Sequence, residues 1–198
     1  MDRELIKKAC NLNAERASQE RLQTLTLSTT QQELQRSAPS VFLERHNPDV
    51  GANLVRAKWT PGRLLLCENA PTLHDVAKVH GDETAITWLN IQLRSVDNVR
   101  GAMAFGSEAL HEARQLIFAR YHSVAVVLLL EFFALYKMGE FEKDTERVGG
   151  IQKVMVALGS YMRRAQDEAN KLIYEQEIEN DYKRRMSYGN TAADTVRR

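Results

Sequence analysis

Two places in this chain bring metal-ligating residue types together: Glu108-Ala-Leu-His111 and His80-Gly-Asp82-Glu83. A Glu-x-x-His spacing sets both side chains on one helix face. Di-iron carboxylate bundles need that motif twice, plus two further Glu residues, and no second Glu-x-x-His exists here. A helix start accounts for Glu108 through the macrodipole, and helix capping accounts for Asp82. Neither cluster is read as a metal site, and no cofactor is implied. Ser, His and Asp are present, but there is no Gly-x-Ser-x-Gly elbow and no Gly-rich loop followed by Lys-Ser or Lys-Thr. Gly149-Gly150 could offer free amides to an anion, but a plain hinge is the favoured reading. No catalytic residue is assigned, and the chain reads as a non-enzyme.

Glu131 stands apart because it interrupts an apolar run, Tyr121-His-Ser-Val-Ala-Val-Val-Leu-Leu-Leu130 followed by Phe132-Phe133. An unpaired carboxylate is costly there. The expectation is a buried ion pair with a basic residue from another helix, fixing register. A proton-transfer role has no visible His, Ser or Cys partner.

Two basic segments could meet phosphates. Arg56, Lys58, Trp59 and Arg63 surround a turn, and cations with an aromatic suit single-stranded nucleic acid. The competing reading is a solvated hairpin with Trp59 packed inward. Lys183, Arg184 and Arg185 lie between Tyr182 and Tyr188, and could instead balance the acids of the two preceding turns.

These residues need a scaffold. A length of 198 residues supports one core with tails. Hydrophobic content of 43% and charged content of 27% are ordinary for a soluble globular protein. Lys and Arg total 27 against 26 acids, so a net charge of +1 gives no general pull towards nucleic acid or anionic lipid. Cys10 and Cys67 carry no pairing signal, which predicts reduced thiols and a cytoplasmic location. Met1-Asp-Arg-Glu-Leu-Ile-Lys-Lys has no apolar stretch and predicts no secretory signal. The unbroken apolar run is far short of the ~20 residues a membrane span needs, so no membrane association is expected.

Residues 1–40 are polar and predict a flexible arm, ordered only against a partner. From Val41 to Ala70, Asn47-Pro48, Pro61-Gly62 and Ala70-Pro71 predict turns. Arg63–Cys67 reads as a strand or a buried turn, so this segment before the helical bundle is expected to be irregular or to carry a small hairpin with Val55–Trp59 opposite Arg63–Cys67. Thr72, with Asp75 at the capping-box offset, starts a helix that Gly81 ends. Asp82 should cap the next, with Ile86, Leu89, Leu93 and Val96 facing inward. A third helix, about 107–138, carries an inner stripe of Leu110, Ala113, Ile117, Tyr121, Val124, Leu128, Phe132 and Leu135. Its second half is apolar on the other side too, so it should be the central helix, buried from two sides. Gly139 should stop it. After a linker over 140–150, the last helix carries Ile151, Val154, Leu158, Met162, Ala165, Ala169 and Leu172. Beyond 172 charge replaces the stripe, predicting a projecting helix end to Met186 and a frayed tail.

The stretch Leu73-His-Asp-Val-Ala-Lys-Val-His-Gly-Asp-Glu-Thr-Ala-Ile-Thr-Trp88-Leu89 carries a family resemblance. So do Arg114-Gln-Leu-Ile-Phe-Ala-Arg-Tyr121, Glu131-Phe-Phe133 and Lys137-Met-Gly139. Together, over roughly 65–185, they resemble an uncharacterised family from phages and mobile elements of Bacteroidetes, domain of unknown function 6633. The resemblance implies a non-enzymatic accessory protein and carries no chemistry.

The expectation is thus a mainly α fold: an arm over 1–40, a single helical domain over 41–172, and a projecting charged helix end and tail over 173–198. The function expected is protein–protein interaction or self-association through the C-terminal helix. A DNA-associated replication or maintenance accessory is the alternative.

Overall fold

The structure, a computed structural model, describes residues 29–67, 69–100 and 106–195, with side chains over 30–67, 69–97 and 106–184. It is mainly α-helical. Short helices come first: α1 (Thr29–Gln35), α2 (Pro39–Arg45), α3 (Pro48–Arg56) and α4 (Pro61–Leu65). Then come α5 (Leu73–His80), α6 (Asp82–Arg100), α7 (Ser107–Tyr121), α8 (Val126–Lys137) and α9 (Gly150–Thr195).

The expected hairpin is absent, and the described residues hold no strand. Asn47-Pro48 and Thr60-Pro61 are helix starts. Proline at the first helical position has its φ preset and lacks an N–H that would be unsatisfied anyway. The preceding residue supplies the cap: Asn47 accepts from the Asp49 N–H at 2.9 Å, and Thr60 from the Arg63 N–H at 3.4 Å. The Thr72–Asp75 capping box forms in full. Gly81 and Gly139 take positive φ, 87° and 88°, at the two expected helix ends. Asp82 lies in the first turn of α6, one residue further in than a cap.

The stripe over 107–138 is divided between α7 and α8. At the break the Pro71–His74 segment captures the backbone. Val126 N–H donates to Pro71 O at 2.8 Å, and His74 N–H donates to His122 O at 2.7 Å. Helical periodicity runs through the break, so only this tertiary pairing reveals it.

The second half is the centre of the fold. In α8, Val126, Leu128 to Ala134 and Tyr136 are all buried. Helix α3 packs on one side, and α4, α6 and α9 also contact it. Gly51 of α3 is where two backbones meet. A Cβ there would strike the Leu130 carbonyl oxygen, and Gly62 of α4 similarly abuts Glu168 and Ala169 of α9. Phe132 is the aromatic hub, with ring centroids 5.2–5.8 Å from Phe133, Phe141, Tyr136 and Tyr161. Phe141 lies in the expected linker, yet it is 4% exposed and belongs to the core. No helix among the described residues is long and apolar enough to cross a membrane.

The ends depart from expectation. Helix α1 falls within the expected flexible arm but docks on α5. Gln31 donates to Asp75 at 2.6 Å and accepts from Lys78 at 3.2 Å, while Leu34 is buried. Residues 1–28, with Cys10, lie outside the described residues; Cys67 is exposed. Helix α9 continues through the expected tail to Thr195, spanning 46 residues, or roughly 69 Å at 1.5 Å per residue.

Gly51→Ala should destabilise the protein by about 1–3 kcal/mol, because two backbones would have to separate. Thermal unfolding checks this; an unchanged midpoint would contradict the close approach of α3 to α8.

Candidate functional site

Glu131 projects from α8 into the core and is 2% exposed. Its partner is Tyr161 of α9, itself fully buried, whose hydroxyl donates to Glu131 Oε2 at 2.5 Å. The expected ion pair is therefore corrected: the direct partner is a phenol. Arg164, one turn along α9, attracts the carboxylate from a distance while bridging Glu168 at 3.2 Å and Glu140 at 3.4 Å. Burial raises the carboxyl above its ordinary value, against the opposing pull of the Tyr161 hydrogen bond and Arg164. Burial and the adjacent Glu131 together hold the Tyr161 hydroxyl protonated far above the usual phenol range. Met162, on the expected inner stripe of α9, is only partly buried. Tyr161, three residues after Leu158 and four before Ala165, takes the core position.

Arg56, Lys58, Trp59 and Arg63 are brought together where α3 turns into α4, and all four are exposed. Trp59 is 48% exposed, so the inward-packed alternative is overturned. Lys58 occupies the left-handed region at φ 55°, and Trp59 N–H returns to Leu54 O at 3.3 Å. The turn thus follows a helix C-terminus and not a strand. This surface can offer phosphate contacts and an aromatic face.

The second basic segment is different. Lys183 pairs with Glu179 at 2.7 Å and Arg184 with Asp181 at 3.7 Å, while the Arg185 side chain lies outside the described residues. These cations answer acids of their own helix, as the balancing alternative requires.

Glu108 and His111 share α7, but His111 meets Arg114, whose Nη2 lies 2.7 Å from its Nδ1. His80 packs near Phe42, ring centroids 6.4 Å apart, while Asp82 and Glu83 are exposed at the start of α6. Among the described residues no three His, Cys, Asp or Glu side chains gather as metal ligands.

The surface feature that sequence reading left unresolved lies on α9. From Ile173 to Tyr182 and on to Arg184 every side chain is exposed. Tyr174, Ile178 and Tyr182 are 64%, 52% and 59% exposed. Spaced by four, they form one stripe. At 100° per residue it lies about 140° around the helix from the core face of Val154, Leu158, Tyr161, Ala165 and Ala169. The spacing is present in the sequence, but the charges interleaved with it obscured the pattern.

Nothing matches the chain among protein-family models, curated proteins or solved structures.

The carboxyl predicts a pH dependence. Because its folded-state value is raised above the ordinary 4.5, the folded protein holds this proton more tightly than the unfolded chain. Its contribution to stability is therefore greatest below about pH 4.5 and falls as pH rises through the folded value. In Glu131→Gln that decline should vanish. In Tyr161→Phe it should steepen, with a further loss of about 1–3 kcal/mol from the stranded carboxyl. Denaturant unfolding of the three proteins across pH 4 to 8 checks this; parallel curves would contradict it.

Proposed function

We propose that the chain is a non-catalytic assembly module that pairs with a second copy of itself through the far half of α9. The observation that carries this reading is the exposed Tyr174–Ile178–Tyr182 stripe. A helix extending beyond its core finds little support in water, because most helical stability comes from packing an apolar face. The i,i+4 pairs Lys171–Glu175 and Glu179–Lys183 add only about 0.3–0.5 kcal/mol each. Large apolar side chains facing solvent on such a helix are in keeping with a partner helix.

Charge order favours a second copy in antiparallel orientation. Glu175, Glu177, Glu179 and Asp181 precede Lys183, Arg184 and Arg185. Two antiparallel copies crossing near residue 180 bring Glu175 and Glu177 of each beside Arg185 and Lys183 of the other, and Tyr182 beside Ile178. Parallel pairing would set like charges together. A role as an accessory protein of a phage or mobile element agrees with the resemblance over 65–185, and a cytoplasmic location with two sparsely placed cysteines.

Light scattering on size-separated protein should give a dimer that dissociates on dilution. Ile178→Asp should be monomeric with its melting temperature nearly unchanged, since residue 178 touches no core. A wild-type monomer at all concentrations would overturn the reading.

DNA association is the second reading, favoured by the exposure of Trp59 among Arg56, Lys58 and Arg63. Single-stranded DNA should then bind in a salt-dependent manner. Arg56→Ala/Arg63→Ala should weaken binding at least about tenfold, given ~1 kcal/mol or more per charged contact. No shift at low salt would remove it.

A further inference from the structure

We propose that His74 and His122 form a two-imidazole site for a borderline divalent transition-metal ion of the zinc and nickel class, which ties the start of α5 to the end of α7. The two rings stand 5.8 Å apart, centre to centre, inclined at 67°. An imidazole nitrogen meets zinc at ~2.0–2.1 Å, so two rings that share one ion have their centres about 5–6 Å apart. Both side chains are exposed, and both line one cleft of about 330 Å³. An ion therefore reaches them from solvent without displacing any core side chain.

The backbone that carries the pair is fixed. His74 N–H donates to His122 O at 2.7 Å, and Val126 N–H donates to Pro71 O at 2.8 Å. Thr72 faces Ala125 between them in an antiparallel bridge. Leu73 and Tyr121, the residues just before the two histidines, are both buried. An ion thus has only two side chains to order, which limits the entropy lost on binding. His122 Nδ1 lies 3.4 Å from Ala119 O. A carbonyl only accepts, so this contact places the proton on Nδ1 and leaves Nε2 with its lone pair for a metal. Metal-ligating histidines are ordinarily held by their second nitrogen in this way.

The charges around the cleft suit a cation. Asp82, at the start of α6, is the carboxylate that lines it among the described residues, and Lys78 is the ammonium. Lys78 is drawn aside, its Nζ donating to Gln31 Oε1 at 3.2 Å. Asp75, beside His74 in sequence, is engaged by Gln31 and Thr72. Among the described residues no third metal ligand gathers with the pair, so water fills the remaining positions. Imidazole ligands select zinc, nickel and copper, whereas magnesium and calcium require oxygen. An anion in the same cleft would meet the Asp82 carboxylate.

Calorimetric titration of the full chain with nickel chloride, beside magnesium chloride as the control, tests the proposal. Saturable one-to-one binding of nickel is expected, and none of magnesium. Binding should weaken at least about tenfold in His74→Ala and in His122→Ala, a loss that removal of an outer-shell partner alone can cause. His111→Ala should leave it unchanged. The backbone groups of the bridge survive both substitutions, so the variants should fold. Unfolding separates the two histidines, so saturating nickel should raise the unfolding temperature of the wild-type protein and of neither variant. In the wild-type protein the ring-proton resonances of His74 and His122 should be the first to broaden with nickel. No saturation at millimolar nickel would overturn the assignment. So would binding untouched by the variants, an unfolding temperature indifferent to nickel, or broadening centred on another histidine.

Discussion

The enclosure of α8 is the constraint on which the remaining structure depends. A helix apolar on every side is stable in water only if protein covers it all round. Backbone must then come close on at least one face. Gly51 permits this, lying against the Leu130 carbonyl where any side chain would collide. Gly62 does the same between α4 and α9, and its N–H also donates to Glu168 Oε2 at 3.1 Å. The short helices before residue 66 are thus the cover of the core. In α3 and α4 a proline start and a side-chain cap set where the helix begins, and so which residue reaches α8.

Inside this enclosure the Glu131–Tyr161 pair links the central helix to the longest one. Burial raises the Glu131 carboxyl, and the Tyr161 hydroxyl, which keeps its own proton, gives it a hydrogen-bond donor in the core. The pair sets the register of α9 against α8 more narrowly than apolar contacts alone. Sliding α9 by one residue would strand both polar groups. The ring contacts of Tyr161 with Phe132 and Phe141, at 5.6 and 6.2 Å, act in the same direction. Arg164, fastened to Glu140 and Glu168 at the surface above, closes the site without entering it.

Much of this was legible in the residues. The capping box at Thr72, the stops at Gly81 and Gly139 and the two-sided burial around Leu128 rest on local chemistry, and each is found where the pattern put it. Features set by long-range contacts were not legible. The break at His122–Ala125 exists because Pro71 and His74 take its backbone hydrogen bonds. Phe141 is core only because α8 and α9 bring Phe132 and Tyr161 to it. Asn47-Pro48 and Thr60-Pro61 carry turn and helix-start signals alike, and choosing between them required knowing that α8 needed cover. Glu131 was recognised as unusual, but its partner was sought among cations. A tyrosine hydroxyl can serve a buried carboxyl as donor in place of a cation, and the sequence does not report which of the two faces it.

Helix α9 joins the two halves of the account: to Ala169 it completes the core, and beyond Leu172 it stands clear of it. Amide hydrogen exchange followed at low and high protein concentration tests that division most directly. The amides of Val126–Lys137 should be the slowest in the chain at both concentrations, exchanging only on global unfolding. Those of residues 174–184 should exchange rapidly when dilute and gain protection as copies pair. Amides of α8 opening as readily as those of the far end of α9, or protection at 174–184 indifferent to concentration, would contradict the account.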